Sequence, residues 1–442
     1  MTCQNCAKLR EENKKLQEAL STLKQENKDL KRRLAIYENP NTPPSRRIIY
    51  PKPQRLLGTP RYPGRPRGHK GVTRPRPQPD VTLEPPRIES CTCCGSALGD
   101  PETVGHRVVE EISNPAPRTV IDYLEHGYKC SECGAVTPSR HPDCPPEGLF
   151  GKNVHVQATL LKFRDRLPLR KTAETMNRSY GLEVSPATVL GILHRVARWL
   201  RPEYTRMLTR IRSAGVVYVD ETGLKVDGER HWIWSFTAGT DTIVAVRRSR
   251  GKKVLEEILG KDFGGAIVSD GLRSYSSFTD KIQRCWSHLL READHLAEHV
   301  KEAIPLAGAL HMLYGLVKPW SVDKPPPEVA AILEEEGKRA MTQLAGMPWR
   351  DEKTRKFVGK MMNGLDHWYT FLRVPGCEPT NNKAERALRE HVVQRKIMGC
   401  LRNCKGIWIY ETVMSVLSTW TQQGKDLPET LAETLTKEWK NS

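Results

Sequence analysis

Apolar residues change their period from one part of this chain to the next, and each period predicts a different element. Between residues 8 and 37 they recur every seven positions, at Leu9, Leu16, Leu23 and Leu30, with Tyr37 in the same register. Taking these as d, the a positions are Cys6, Asn13, Leu20, Asn27 and Leu34. Leu at d with some Asn at a favours a parallel dimer, because paired Asn fixes register and strand number at a cost in stability. Glu26 at g can meet Lys31 at e of a second chain. Residues 1–40 therefore read as a coiled-coil leucine zipper and predict a homodimer or higher assembly.

From 151 to 212 the period is helical. Leu167-Pro168-Leu169 opens one helix, and Tyr180-Gly181 breaks it. Ser185-Pro186 then supplies an N-cap followed by Pro at the first helical position. Val189, Ile192, Leu193, Val196 and Leu200 continue the apolar face. Helix, glycine turn, helix outlines a helix-turn-helix DNA-binding segment, and equally an ordinary helical hairpin. From 213 the apolar runs shorten and become β-branched. Val216–Asp220, His231–Thr237 and Thr242–Arg247 predict three strands, Gly251–Leu259 a helix, and Ala266–Asp270 and Ile282–Trp286 two more strands. That order suits a mixed α/β sheet with helices on its faces.

Residues 295–377 return to a helical pattern, as in Val329–Leu344 and Phe357–Leu372, with a break at Pro325-Pro326-Pro327. They read as a helical insertion. A loop at Glu378 to Asn382 then enters a helix whose Ala384, Leu388, Val392 and Val393 share a face, with Asn381 or Asn382 as its cap. Residues 213–294 and 378–425 are thus one domain interrupted by the insertion, and 426–442 are a C-terminal tail. Trp408, Trp420 and Trp439 read as packing residues rather than base-stacking platforms.

Composition changes this picture in residues 41–90. They hold 12 Pro and 11 Lys or Arg against 3 Asp or Glu. So much Pro with so little apolar content cannot pack a core, so the segment reads as a basic linker. Within it, Pro63 to Gly71 carries Arg65, Arg67 and Lys70 on a Gly/Pro backbone, like the core of an AT-hook that lies in a narrow minor groove. The alternative is a solvated basic spacer. The whole chain has a net charge of +18, which favours a polyanionic partner, most simply nucleic acid. No apolar run approaches the roughly 20 residues of a membrane-spanning helix. No secretory signal opens the chain, so an intracellular protein without a membrane partner is expected.

Twelve cysteines in a reducing compartment point to thiols and metal ligation. Cys91 with Cys94 and Cys130 with Cys133 form two CxxCG knuckles across residues 91–145, enough for a closed tetrahedral Zn²⁺ site that serves folding. Cys93 is an alternative to its neighbour, and His141 and Cys144 are spare donors. Cys3 and Cys6 share the spacing without a second pair nearby.

Two predicted strands each deliver an Asp into a turn, Asp220 and Asp270, and the last helix begins with Glu385 amid Arg386, Arg389, Arg395 and Lys396. One such residue alone is an ordinary cap or surface ion pair. Three carboxylates from separate elements can hold two Mg²⁺ ions for phosphoryl transfer. The phrases Val219-Asp220-Glu221-Thr222, Ser269-Asp270-Gly271, Cys285-Trp286-Ser287-His288 and Thr380-Asn381-Asn382-Lys383-Ala384-Glu385-Arg386 occur in this order. They resemble the DDE transposases, most closely the insertion-sequence-66 group, over nearly the whole chain. The resemblance implies a ribonuclease-H-like catalytic fold, with Asp220, Asp270 and Glu385 as the triad and two Mg²⁺ or Mn²⁺ ions as cofactors. It implies cleavage and strand transfer of double-stranded DNA at element ends and target, in the cytoplasm at the nucleoid, with helper proteins of the same element as further partners. Arg386, Arg389 and Lys396 would contact phosphate. His288 reads as a surface or hydrogen-bonded residue rather than a ligand. A non-enzymatic DNA-binding regulator and a nuclease that cuts without joining are the rival readings.

Overall fold

In the computed structural model, residues 4–35, 118–121, 126–129, 136–139, 143–271 and 273–440 are described. Arg65, Arg67, Lys70 and the quartet Cys91, Cys94, Cys130 and Cys133 lie outside them, as do Cys93 and His141. The chain divides into two compact units, Met1–Ala116 and Pro117–Ser442.

In the first unit, helix α1 spans Gln4–Ala35. Its Leu16, Leu20, Leu23 and Leu30 are all more than half exposed.

The second unit begins with two short strands, β1 (His126–Lys129) and β2 (Val136–Ser139), paired antiparallel with His126 opposite Ser139. They flank in sequence the segment that carries Cys130 and Cys133. A helical layer follows: α2 (Lys152–Thr159), α3 (Leu169–Tyr180), α4 (Pro186–Trp199) and α5 (Arg201–Arg212). Gly181 ends α3 in the left-handed region, and the Ser185 hydroxyl accepts the Thr188 amide at 3.1 Å to cap α4. Helix α4 buries Val189, Ile192, Leu193, Val196, Ala197 and Trp199. Pro186, Ala187 and Arg198 are exposed along it, and Thr188, Leu190, Gly191, His194 and Arg195 are partly exposed.

The sheet comprises β3 (Val216–Val226), β4 (Glu229–Ala238), β5 (Asp241–Arg247), β6 (Ala266–Ser269) and β7 (Ile282–Arg284), in the order β5-β4-β3-β6-β7. The first three are antiparallel; β3, β6 and β7 run parallel, with helix α6 (Lys252–Leu259) in the crossover from β5 to β6. Strand β3 does not stop at Asp220, as its turn-like Glu221-Thr222-Gly223 had implied. It runs on to Val226, and the hairpin turns at Asp227-Gly228, both with positive φ. An Asp-Gly pair is the sequence a tight type I′ turn requires.

Beyond the sheet, α8 (Trp286–His299), α9 (Ile304–Val317), α10 (Pro327–Ala345) and α11 (Glu352–Met362) build the helical insertion, preceded by the short α7 (Arg273–Ser276). The helix expected to reach Leu372 ends at Met362. Arg284 donates to the Asn363 carbonyl at 3.1 Å and lies so close to Gly364 that a Cβ there would force the arginine side chain to shift. The chain returns to the sheet with α12 (Asn382–Met398), the two-residue strand β8 (Cys400–Leu401), α13 (Cys404–Gln422) and α14 (Leu427–Lys440). Residues 426–442, read as a tail, thus contain a helix that buries Leu431, Leu435 and Trp439, the last with its ring 5.3 Å from that of Trp199.

Two apolar cores result. One joins the sheet to α2–α6, α13 and α14; the other joins Tyr218 and Val268 to the insertion. Helix α12 belongs to both, through Leu388 and Ala384 respectively.

Candidate active site

The site forms where β3 loses a neighbour. On one side β3 pairs with β4 along its length; on the other, β6 accompanies it only from Val216 to Tyr218, and β8 joins only at Lys225 and Val226. The intervening edge is closed by α12 and the loop before it. Asn381 Nδ2 donates to the Val219 carbonyl at 2.8 Å, and Arg395 donates to Thr222 Oγ1 at 2.8 Å and to the Gly223 carbonyl. The loop is tied down elsewhere too: Glu378 N donates to the Tyr218 hydroxyl, and Trp286 N to the Pro379 carbonyl.

This closure brings the acidic residues together. The parallel register sets Tyr218 opposite Val268 as its last pair; Asp220 and Asp270 each follow two residues further on, near enough for the Asp270 charge to act on Asp220. Asp270 follows β6 directly, at a glycine turn. Gly271 has φ +94°, and a Cβ there would lie 3.3 Å from the Arg284 side chain. Glu385 sits in the first turn of α12. Burial, then the charges of Asp270 and Glu221, and finally Glu385 push the Asp220 carboxyl well above the usual range; the Glu221 amide, donating to Asp220 Oδ1 at 2.9 Å, offsets part of this. Glu221 itself turns into the core, where Arg250 and the Tyr275 hydroxyl donate to its two oxygens at 2.6 and 2.5 Å.

Among the described residues Glu385 Oε1 has no hydrogen-bond partner, and half-buried carboxylates that repel one another are the kind of donor set a hard divalent cation takes. The oxygens are acceptors only, and a cation relieves the repulsion that burial enforces.

Around the acids the structure adds residues that the sequence did not rank. Asn381 makes no side-chain cap of α12; it braces the β3 edge instead. His288, read as lying outside the ligand set, has Nδ1 3.5 Å from Glu385 Oε1. Arg284 is close enough for the Asp270 charge to act on it. Arg386, Arg389 and Lys396 fall on the exposed face of α12, while Ala384, Leu388, His391 and Gln394 form its buried face. The buried face is anchored by His391 to the Tyr410 hydroxyl at 2.9 Å, by Gln394 to the Phe163 carbonyl at 2.7 Å, and beside them by a bidentate Arg166–Glu390 pair.

A mixed sheet with helices on its faces is consistent with a ribonuclease-H-like catalytic domain. Residues 147–407, more than half of the chain, match the family model described as Transposase IS66 family, and the chain belongs to that family. Two proteins of Sinorhizobium fredii are similar to it. "Uncharacterized protein y4jD" is 26% identical over 407 residues, which cover 81% of this chain and 76% of that protein. "Uncharacterized protein y4qI" is 23% identical over 330 residues, covering 66% and 60% respectively. Among the described residues, no helix is long and apolar enough to cross a membrane.

Proposed function

We propose that this protein is a DNA transposase that cleaves the ends of an insertion sequence and joins them to target DNA, with Asp220, Asp270 and Glu385 as the catalytic triad. The observation that carries the reading is the convergence of those three carboxylates where α12 covers the edge of β3, with Asp220 driven toward its protonated form by burial and then by the charges of Asp270, Glu221 and Glu385. Mg²⁺ or Mn²⁺ ions held by these residues would supply Lewis-acid activation and charge neutralisation at the reacting phosphate. The chain contributes positioning: Asn381 fixes the acidic start of α12 and Arg395 its last turn against β3, and Tyr218 fixes the loop before the helix. Arg386, Arg389 and Lys396 offer the DNA backbone a row of cations, with Arg suited to bidentate phosphate contact. Cys91, Cys94, Cys130 and Cys133 hold a structural Zn²⁺, Arg65, Arg67 and Lys70 add minor-groove contacts, and the zipper pairs two chains so that both element ends are held together. Work in the cytoplasm on nucleoid DNA, with helper proteins of the same element, follows from this reading.

The test is cleavage and joining of labelled DNA carrying the host element's ends, with Mg²⁺ or Mn²⁺, by wild type and Asp270→Ala. Metal-dependent nicks and joined products that vanish in the variant, with DNA binding retained, are expected. Unchanged cleavage by Asp270→Ala would sink the assignment.

A further inference from the structure

The phrase Cys285-Trp286-Ser287-His288 is not used by the triad, yet the fold sets it against Glu385. Cys285 is the N-cap residue of α8, and His288 lies in the first turn of that helix. Glu385 lies in the first turn of α12. The two helix starts are stitched together by Trp286 N donating to the Pro379 carbonyl and Asn381 N to Cys285 Sγ at 3.1 Å. As a result one donor atom each from Cys285, His288 and Glu385 lies within 4.8 Å of the others. Among the described residues, His288 Nδ1 and Glu385 Oε1 are buried without a hydrogen-bond partner, 3.5 Å apart. The Cys285 sulfur is enclosed; burial pushes its thiol up, and the backbone N–H groups of Asn381, His288 and Ser287 offset part of that.

We propose that Cys285, His288 and Glu385 form a binding site for a borderline-soft divalent cation of the Zn²⁺ class, distinct from a hard-cation site made only of carboxylates. Sulfur, nitrogen and oxygen donors are the set such a cation takes, and three protein ligands leave one position for solvent. On binding, the Cys285 thiol releases its proton to solvent and its sulfur becomes the ligand. Glu385 then has two alternative partners, the Asp220–Asp270 pair or the Cys285–His288 pair. A Zn²⁺-class cation therefore draws Glu385 from the acidic cluster and competes with Mg²⁺, a consequence that rests on the triad reading above.

The test is cobalt uptake by the full-length, reduced, metal-free protein, followed by thiolate-to-cobalt charge-transfer absorption, for wild type, Cys285→Ser and His288→Ala. Cysteines elsewhere contribute equally to all three. Wild type is expected to take up about one more thiolate-bound cobalt than Cys285→Ser, and His288→Ala to need about tenfold more cobalt to fill that site. Equal uptake with identical spectra in folded variants overturns the site. If Cys285→Ser does not fold, His288→Ala keeps the thiol and the helix cap and decides alone. The readout is a metal count, so its failure leaves the cleavage assignment standing, and failure of the Asp270→Ala test leaves this count intact.

Discussion

Burial, and then the charges of Asp270, Glu221 and Glu385, oppose ionisation of Asp220. Because its folded-state pKa is raised, the folded protein retains a proton that the unfolded chain has released. Stability of the metal-free protein should therefore fall as pH rises from the usual carboxylate range through the raised value, with no effect below that range. Asp220→Asn removes the titration and keeps an acceptor for the Glu221 amide. Thermal melts of metal-free protein should show the variant more stable than wild type at neutral pH, by about 2–4 °C for each kcal/mol of repulsion relieved, while cleavage is lost. A variant that melts with the same pH slope as wild type would refute the repulsion. Gly271 is the other residue on which the acidic cluster depends. At φ +94° beside Arg284 an added methyl is strained as well as crowded. Gly271→Ala should cost roughly 1–3 kcal/mol and lower cleavage more than DNA binding, read by denaturant melts and a nicking assay.

At the scale of elements, the exposed flank of β5 is closed by side chains of α13. Its alternate amides, Thr242, Val244 and Val246, donate to Thr419 Oγ1, Ser415 Oγ and Glu411 Oε1 at 2.9, 2.8 and 2.5 Å. Two residues of strand advance about 6.8 Å and four of helix about 6 Å, so an every-fourth helix row can serve an every-second strand row. Ser415→Ala leaves the fully buried Val244 amide without a partner and should cost about 1–3 kcal/mol, measured by urea unfolding; a cost near zero would mean that water reaches this edge. This ladder also shows where sequence reading stops. Glu411, Ser415 and Thr419 read as one polar helix face, and such a face is ordinarily solvated; nothing local says that it meets a strand. The strands themselves were legible because their β-branched runs are short and bounded, and α12 because its apolar positions share a face. Asn381 was misread for the opposite reason. Asn before a helix fits a cap so well that its reach to Val219, 162 residues away, has no local signal. His288 was undervalued likewise, since only the packing of α8 on the loop before α12 brings it to Glu385.

For the whole molecule, the exposed heptad helix and the most basic stretch of sequence both fall in the first unit. Residues 41–90 carry 11 basic and 3 acidic side chains, a net +8 of the chain's +18. Helix α1 exposes Leu16, Leu20, Leu23 and Leu30, whereas the second unit has two apolar cores of its own. An exposed heptad stripe finds cover most directly in a second copy of itself. Leu16→Lys with Leu23→Lys places cations in that seam without touching the second unit. Light scattering should then show a smaller assembly than wild type. Because phosphate contacts belong to each chain, the dependence of single-end DNA affinity on salt should keep its slope, about 0.9 per phosphate neutralised. What should fail is the coupled event: nicking of a single end persists, while products in which two ends are joined to one target decline together with the assembly. Paired-end products formed at the wild-type rate by a dissociated variant would assign end pairing to the second unit instead, and α1 to some other partner.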